Sequence, residues 1–258
     1  MIGRWWREWR QARLLRDRAI PDDLWLATLR AYPFLMRRPL ADLLRLRELA
    51  TLFLAEKEFT PVGGLVLTDE IAVAVAAQAC VPVLQLGLHW YDEMVGIVLQ
   101  PDEVLARRQW TDEAGVVHEG DEILSGEAMP GGPVMLSWRD VAAAGDSAQA
   151  GYNVVIHEFA HVIDMRNGAA DGVPPLPEHI SAEHWIGTLR RERAVLRATL
   201  TAGQPTWLDP YAMHGLEEFF AVATETFFVA PHDLYHGHAA LYQLLQEFFR
   251  QDPRRYQP

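Results

Sequence analysis

Val154-Val155-Ile156-His157-Glu158-Phe159-Ala160-His161-Val162-Ile163-Asp164 is the stretch from which the rest of this chain is read. The apolar residues around His157, Glu158 and His161 are those of a buried helix. On a helix, positions 157 and 161 share one face, so both imidazoles can reach a single ion. Glu158 follows the first histidine. There it cannot easily ligate the same ion, but it can reach a water that the ion holds. Zinc lowers the pKa of such a water towards about 7, and a carboxylate beside it takes the proton as the water attacks a carbonyl. Burying two histidines and a glutamate without partners is costly. The stretch therefore predicts one zinc ion, with His157 and His161 as ligands and Glu158 as a base.

Zinc needs a third protein ligand and an open position for water. A third histidine six residues on is ruled out, because Asp164 and Asn167 stand where glycine and histidine would be needed. A glutamate on a second helix is the other arrangement, and the candidates lie in Leu216-Glu217-Glu218-Phe219-Phe220-Ala221-Val222-Ala223-Thr224-Glu225. Leu216, Phe219, Phe220, Ala223 and Phe227 form an apolar face, with Glu218 and Glu225 on one flank of it. Glu218 best combines partial burial with a neighbouring acid. Glu225 is an alternative ligand, or a group that orients a ligand histidine. Tyr211, seven residues before Glu218, either packs or offers a phenol to a developing oxyanion.

Residues 146–166 predict one helix, opened by Asp146 and Gln149 in the manner of a capping box and closed at Gly168. Residues 134–138 predict a strand whose flanking Gly and Pro suit an edge. If it lines the cleft, an extended peptide would pair with it. Further strands are expected at 81–87 and 96–99, and a loop or hairpin at 112–127. Helices are expected at 2–17, 21–32, 40–58, 71–80, 181–200, 215–229 and 239–251, the third carrying leucines at 40, 43, 44 and 46. The sum is an α+β fold, mainly helical, with a small mixed β-sheet beside the His157 helix.

The chain has 258 residues, half of them apolar, enough for one core. We expect a single domain over 1–258, with N-terminal helices to residue 60 and a catalytic core from 61 onward. The net charge of -12 excludes a general nucleic-acid binder. The charge is uneven: +5 over residues 1–48 and -17 over the rest. The acidic body is most simply ordinary solubility charge; the alternatives are that it favours a cationic substrate group or helps retain a metal. The one cysteine, Cys80, lies in an apolar run, which fits a small buried hydrophobe in a reducing compartment. No secretory signal or transmembrane run is visible, so a cytoplasmic location is expected. Trp5, Trp6 and Trp9 alternate with Arg4, Arg7 and Arg10. Such a segment lies on a membrane surface, or packs its tryptophans on the domain and extends its arginines to solvent.

Beyond these readings, residues 151–165 resemble the active helix of the Mlc titration factor A family of zinc-dependent peptidases. So do Gly132-Pro133-Val134-Met135-Leu136-Ser137-Trp138 before it, Glu218-Phe219-Phe220-Ala221-Val222, and Phe248-Phe249-Arg250-Gln251-Asp252-Pro253. The similarity spans roughly residues 55–253. It implies a zincin-like fold, with His157, His161 and Glu218 as zinc ligands and Glu158 as catalytic base. It also implies kinship with the catalytic domain of anthrax lethal factor, which has a tyrosine seven residues ahead of its ligand glutamate. Tyr211 fits that spacing, which implies the oxyanion role. Family members are implied to be cytoplasmic, to act on peptide substrates in aminopeptidase-like fashion, and in one case to bind a glucose-responsive transcriptional repressor. A second reading follows, in which the protein sequesters a repressor and peptidase activity is secondary. His232, His236 and His238 depart from the family pattern, and suggest either a second metal site or a polar loop.

Overall fold

The computed structural model describes residues 2–111 and 117–257, with the backbone alone described for 2–8, 104–111, 117–124 and 149. Four helices come first: α1 (Ile2–Asp17), α2 (Asp22–Ala31), α3 (Pro33–Met36) and α4 (Leu40–Glu56). Pro21, Pro33 and Pro39 stand at or beside three of the starts, where a missing N–H costs nothing. In α4, Leu40 and Leu44 are exposed, Leu43 is partly buried against the core, and Leu46, Leu49, Ala50 and Phe53 are buried. Trp9 is also exposed, with the Arg13 guanidinium 5.8 Å from its ring. The side chains of Arg4, Trp5, Trp6 and Arg7 lie outside the described residues.

A mixed sheet follows. Strand β1 (Glu58–Pro61) leads through α5 (Asp69–Ala79), capped by the Thr68 hydroxyl, to β2 (Gly96–Gln100). Next comes a separate antiparallel hairpin of β3 (Val104–Thr111) and β4 (Val117–Leu124), and then β5 (Gly126–Ala128) and β6 (Val134–Ser137). Of the loop or hairpin expected at 112–127, residues 112–116 lie outside the described residues. The sheet order is β1-β2-β6-β5, parallel throughout except for the β5–β6 pair. Ile97, Leu99, Val134 and Leu136 are buried on one face of it, while Val98 and Met135 on the other are partly buried.

Two expectations are corrected here. Strand β6 is interior, because β2 pairs with one side of it and β5 with the other; the edge facing the site is β5. Residues 81–87 form no strand. The Val81, Leu84 and Leu86 amides bond three residues back to Gln78, Val81 and Val83, so the backbone is satisfied by tight turns.

The rest is helical: α6 (Trp138–Ser147), α7 (Val154–Asp164), α8 (Ala182–Thr201), α9 (Leu216–Val229), α10 (Pro231–Gly237) and α11 (Ala239–Phe249). The single helix expected at 146–166 is divided. Gly151 takes φ +84°, a left-handed conformation that an L side chain adopts only under strain, and the chain restarts at Asn153. Asp146 caps nothing; Ser137 caps α6 and Asn153 caps α7. Gly168 takes a positive φ of 134° but with ψ -113°, so it is not the left-handed cap expected, and it follows a short 3-10 turn at Met165–Asn167. Helix α7 packs on α5, α9, β5 and β6, and every one of its residues is buried. Phe159 meets Phe53 and Tyr91 below it, with ring centroids 5.7 and 4.9 Å away. Burying such a ring contributes about 1.5–3 kcal/mol. The α+β expectation holds: helices predominate, and the small mixed sheet lies beside α7.

Candidate metal centre

Asn153 starts α7 and ties three elements together. Its Oδ1 accepts the Ile156 N–H at 2.9 Å, its Nδ2 donates to Gln78 Oε1 of α5 at 2.8 Å, and its backbone N–H donates to Glu225 Oε2 of α9 at 2.8 Å. The helix therefore leaves its cap with a fixed direction. His157 and His161 emerge on one face, one turn apart, with ring centroids separated by 5.0 Å.

Helix α9 crosses this face and brings two carboxylates to it. Glu218 Oε2 lies 3.1 Å from His157 Nε2 and 3.3 Å from His161 Nε2. Glu225 Oε1 lies 3.3 Å from the other nitrogen of His157, Nδ1. The two acids that the sequence left as alternatives thus occupy different places. Glu218 faces both histidines at the mouth of the site, and Glu225 is buried behind His157. Ligand atoms of His157, His161 and Glu218 all lie within 4.8 Å of one another. Two imidazole nitrogens and one carboxylate oxygen converging on one point are a donor set that suits a divalent transition metal.

Glu158 lies on the sheet side of this group, in a cavity of about 260 Å³ that is also lined by Ser125, Gly126, Tyr152, Asp209, Tyr211 and Glu225. Strand β5 approaches it closely. A Cβ on Gly126 would fall 2.6 Å from Glu158 Cγ and 2.7 Å from its Oε1, so only glycine leaves the carboxylate its place. Tyr211 sits on a 3-10 turn at Pro210–Met213, its ring centroid 6.1 Å from that of His157. Asp209 Oδ1 caps this turn by accepting the Tyr211 N–H at 2.8 Å.

The electrostatics follow from burial and pairing. Burial pushes the Glu158 carboxyl up, with the two histidines acting against it. Burial likewise raises Glu225. Burial also works against ionised Glu218, but hydrogen bonds from His157 and His161 outweigh it and hold that carboxyl well below the usual range. For His157, burial disfavours the charged ring, yet Glu218 and Glu225 together hold its pKa well above the ordinary value.

The C-terminal histidines do not gather. His232 Nε2 contacts the Gln257 carbonyl at 3.0 Å, and His238 Nδ1 contacts Glu192 at 2.8 Å. They belong to α10 and its C-cap, and the described residues hold no second cluster of metal-ligand type. Sequence reading also passed over Gly126, Tyr152 and Asp209. Only Asp209-Pro210 carried a legible signal, as an acidic cap before a proline-started turn. A wider groove of about 750 Å³ beside Asp42 and Tyr256 contains no histidine.

Comparison with known proteins agrees with this geometry. Residues 6–250 match the family described as glucose-regulated metallo-peptidase M90. An uncharacterized protein of Synechocystis is 36% identical over 250 residues, covering 96% of this chain and 90% of its own length. Mlc titration factor A of Yersinia pestis and that of Yersinia pseudotuberculosis are each 35% identical over 217 residues, covering 81% of this chain and 77% of their own.

Proposed function

The chain belongs to the glucose-regulated metallo-peptidase family M90, and on that premise we propose that it is a zinc-dependent aminopeptidase of zincin type, working from the cavity between α7, α9 and β5. The observation that carries this reading is the convergence of His157, His161 and Glu218 within 4.8 Å beside the buried carboxylate of Glu158.

In this reading His157 Nε2, His161 Nε2 and one Glu218 oxygen are the ligands. Zinc bound there supplies Lewis acidity and a water whose pKa is lowered towards about 7. Glu158 takes a proton from the attacking water at its carboxylate and passes it on to the leaving amine. Its raised pKa, set by burial, brings it closer to the strength that a base working near neutrality needs. Tyr211 donates its O–H to the oxyanion that forms as the carbonyl becomes tetrahedral. An extended peptide adds to the free edge of β5, a role the sequence had assigned to β6. Residues 1–258 act as one domain, with α1 and α2 packed on α4 and α5. Among the described residues no helix is long and apolar enough to cross a membrane. The buried thiol of Cys80 accords with a cytoplasmic location.

The test is metal analysis of the purified protein together with hydrolysis of amino-acid anilides. Glu158→Gln is expected to keep its zinc and lose at least about 100-fold in kcat. Full activity in that variant would overturn the mechanism. Unchanged zinc content in Glu218→Ala would place the third ligand elsewhere.

A second reading draws on the relatives' name, Mlc titration factor A, which speaks of titrating Mlc. Here the protein sequesters a transcriptional repressor, and peptidase activity is secondary. The surface of α1 favours it, since Trp9, Arg10, Arg13 and Arg16 are exposed there, the arginines in solvent-exposed pairs with Glu56 and Asp17. A pull-down of the host's repressors with wild type and with Trp9→Ala/Arg13→Glu should show loss of capture in the variant while anilide cleavage persists.

A further inference from the structure

An aminopeptidase must hold a free α-ammonium close to the carbonyl it attacks, and this requires a negatively charged acceptor at the cavity. We propose that Asp209 is that acceptor, and that its carboxylate sets the substrate class: peptides with an unblocked, positively charged amino terminus. The inference rests on the aminopeptidase reading above.

The other acids at the site are already committed. Glu225 is buried and uses both oxygens, Oε1 towards His157 Nδ1 and Oε2 towards the Asn153 N–H. Glu218 Oε2 faces the two imidazoles, and Glu158 is buried as the proton acceptor. Asp209 alone among the acids lining the cavity is exposed. Its Oδ1 accepts the Tyr211 N–H, and its Oδ2 has no hydrogen bond or ion pair among the described residues. The cap bond stops the carboxylate from swinging away and leaves the second oxygen to meet a ligand.

The surroundings suit an ammonium group. Among the described residues, no lysine or arginine lines the cavity. Tyr211 stands two residues further along the same proline-started turn. The ammonium acceptor and the proposed oxyanion donor therefore sit on one rigid piece. In a peptide the α-amino nitrogen and the carbonyl of the same residue are likewise close, within one residue's span of roughly 3.5 Å. A cavity of about 260 Å³ is smaller than the roughly 300–1,000 Å³ sites that enclose a drug-sized ligand. It suits a chain end better than the middle of a long peptide.

Asp209→Asn and Asp209→Ser both keep a side-chain acceptor for the Tyr211 N–H while removing the charge. Each is compared with wild type as the zinc-loaded protein, on alanine p-nitroanilide and on its N-acetyl counterpart, with zinc content and Tm recorded. Wild type is expected to prefer the free amine. Both variants should lose at least about fivefold of that preference, mainly through KM. In wild type the KM for the free amine should also rise with sodium chloride, and that for the acetylated substrate should not. Variants that keep the full preference, or a free-amine KM indifferent to salt, would overturn the role of Asp209 and leave the aminopeptidase reading standing. A wild type that cleaves both substrates equally, or neither, overturns that reading and this assignment with it.

Discussion

Two carboxylates address opposite nitrogens of one ring at His157. Glu225 Oε1 lies 3.3 Å from Nδ1, so a proton kept on that nitrogen would leave Nε2, beside Glu218, free to ligate an ion. Glu225 meets two N–H groups, from His157 and Asn153, and a glutamine has only one oxygen to offer them. Glu225→Gln should therefore weaken zinc binding by about 10- to 100-fold in a chelator-competition titration. Unchanged affinity would remove Glu225 from any orienting role. A third acid, Asp164, closes α7. It is fully buried, with Oδ2 accepting the Gly172 N–H and Oδ1 unpaired among the described residues. Burial raises its pKa to about 7 from an ordinary 3.8. The folded protein thus binds a proton that the unfolded chain has released. Stability from this group is present below about pH 4 and is lost as pH rises towards 7, at about 1.4 kcal/mol per unit. Asp164→Asn should flatten this slope. Urea midpoints of wild type and variant at pH 4.5 and 7.5 check it, and parallel changes in both would exclude Asp164 as the cause.

At the level of elements, β5 matters out of proportion to its three residues. It makes β6 an interior strand and supplies the edge beside Glu158. Gly126→Ala should press on the Glu158 side chain, which can turn aside at little cost to the fold. Expected are a Tm within a few degrees of wild type and a loss of about tenfold or more in kcat, because the proposed base is displaced. Wild-type kcat would mean that Glu158 tolerates the methyl group. The sequence could not have revealed β5, since a three-residue strand has no readable periodicity. It misread 146–166 as one helix for a related reason: helical patterning runs on either side of Gly151, and only the left-handed turn there separates α6 from α7.

Across the whole molecule, the site is the seam where α7 and α9 meet. Glu218 and Glu225 of one helix face His157 and His161 of the other. An ion bound at this seam ties the two helices together and stabilises only the folded chain. Removing metal with a chelator should lower Tm, and added zinc should restore it in a concentration-dependent way. A Tm unaffected by chelation would separate the ion from the fold.

The sequence by itself determined the helix of the motif, its two histidines on one face with Glu158 beside the first, and the helix carrying the distal acids. Those features depend on spacings of three and four residues within one element, which helical geometry converts directly into shared faces. Only the tertiary structure decided which acid meets which nitrogen, which strand forms the edge, and that Asp209 stands in the cavity. Each of these depends on contact between segments far apart in the chain. Residues 153 and 225 meet because α7 and α9 pack against each other, and no local pattern in either helix carries that information.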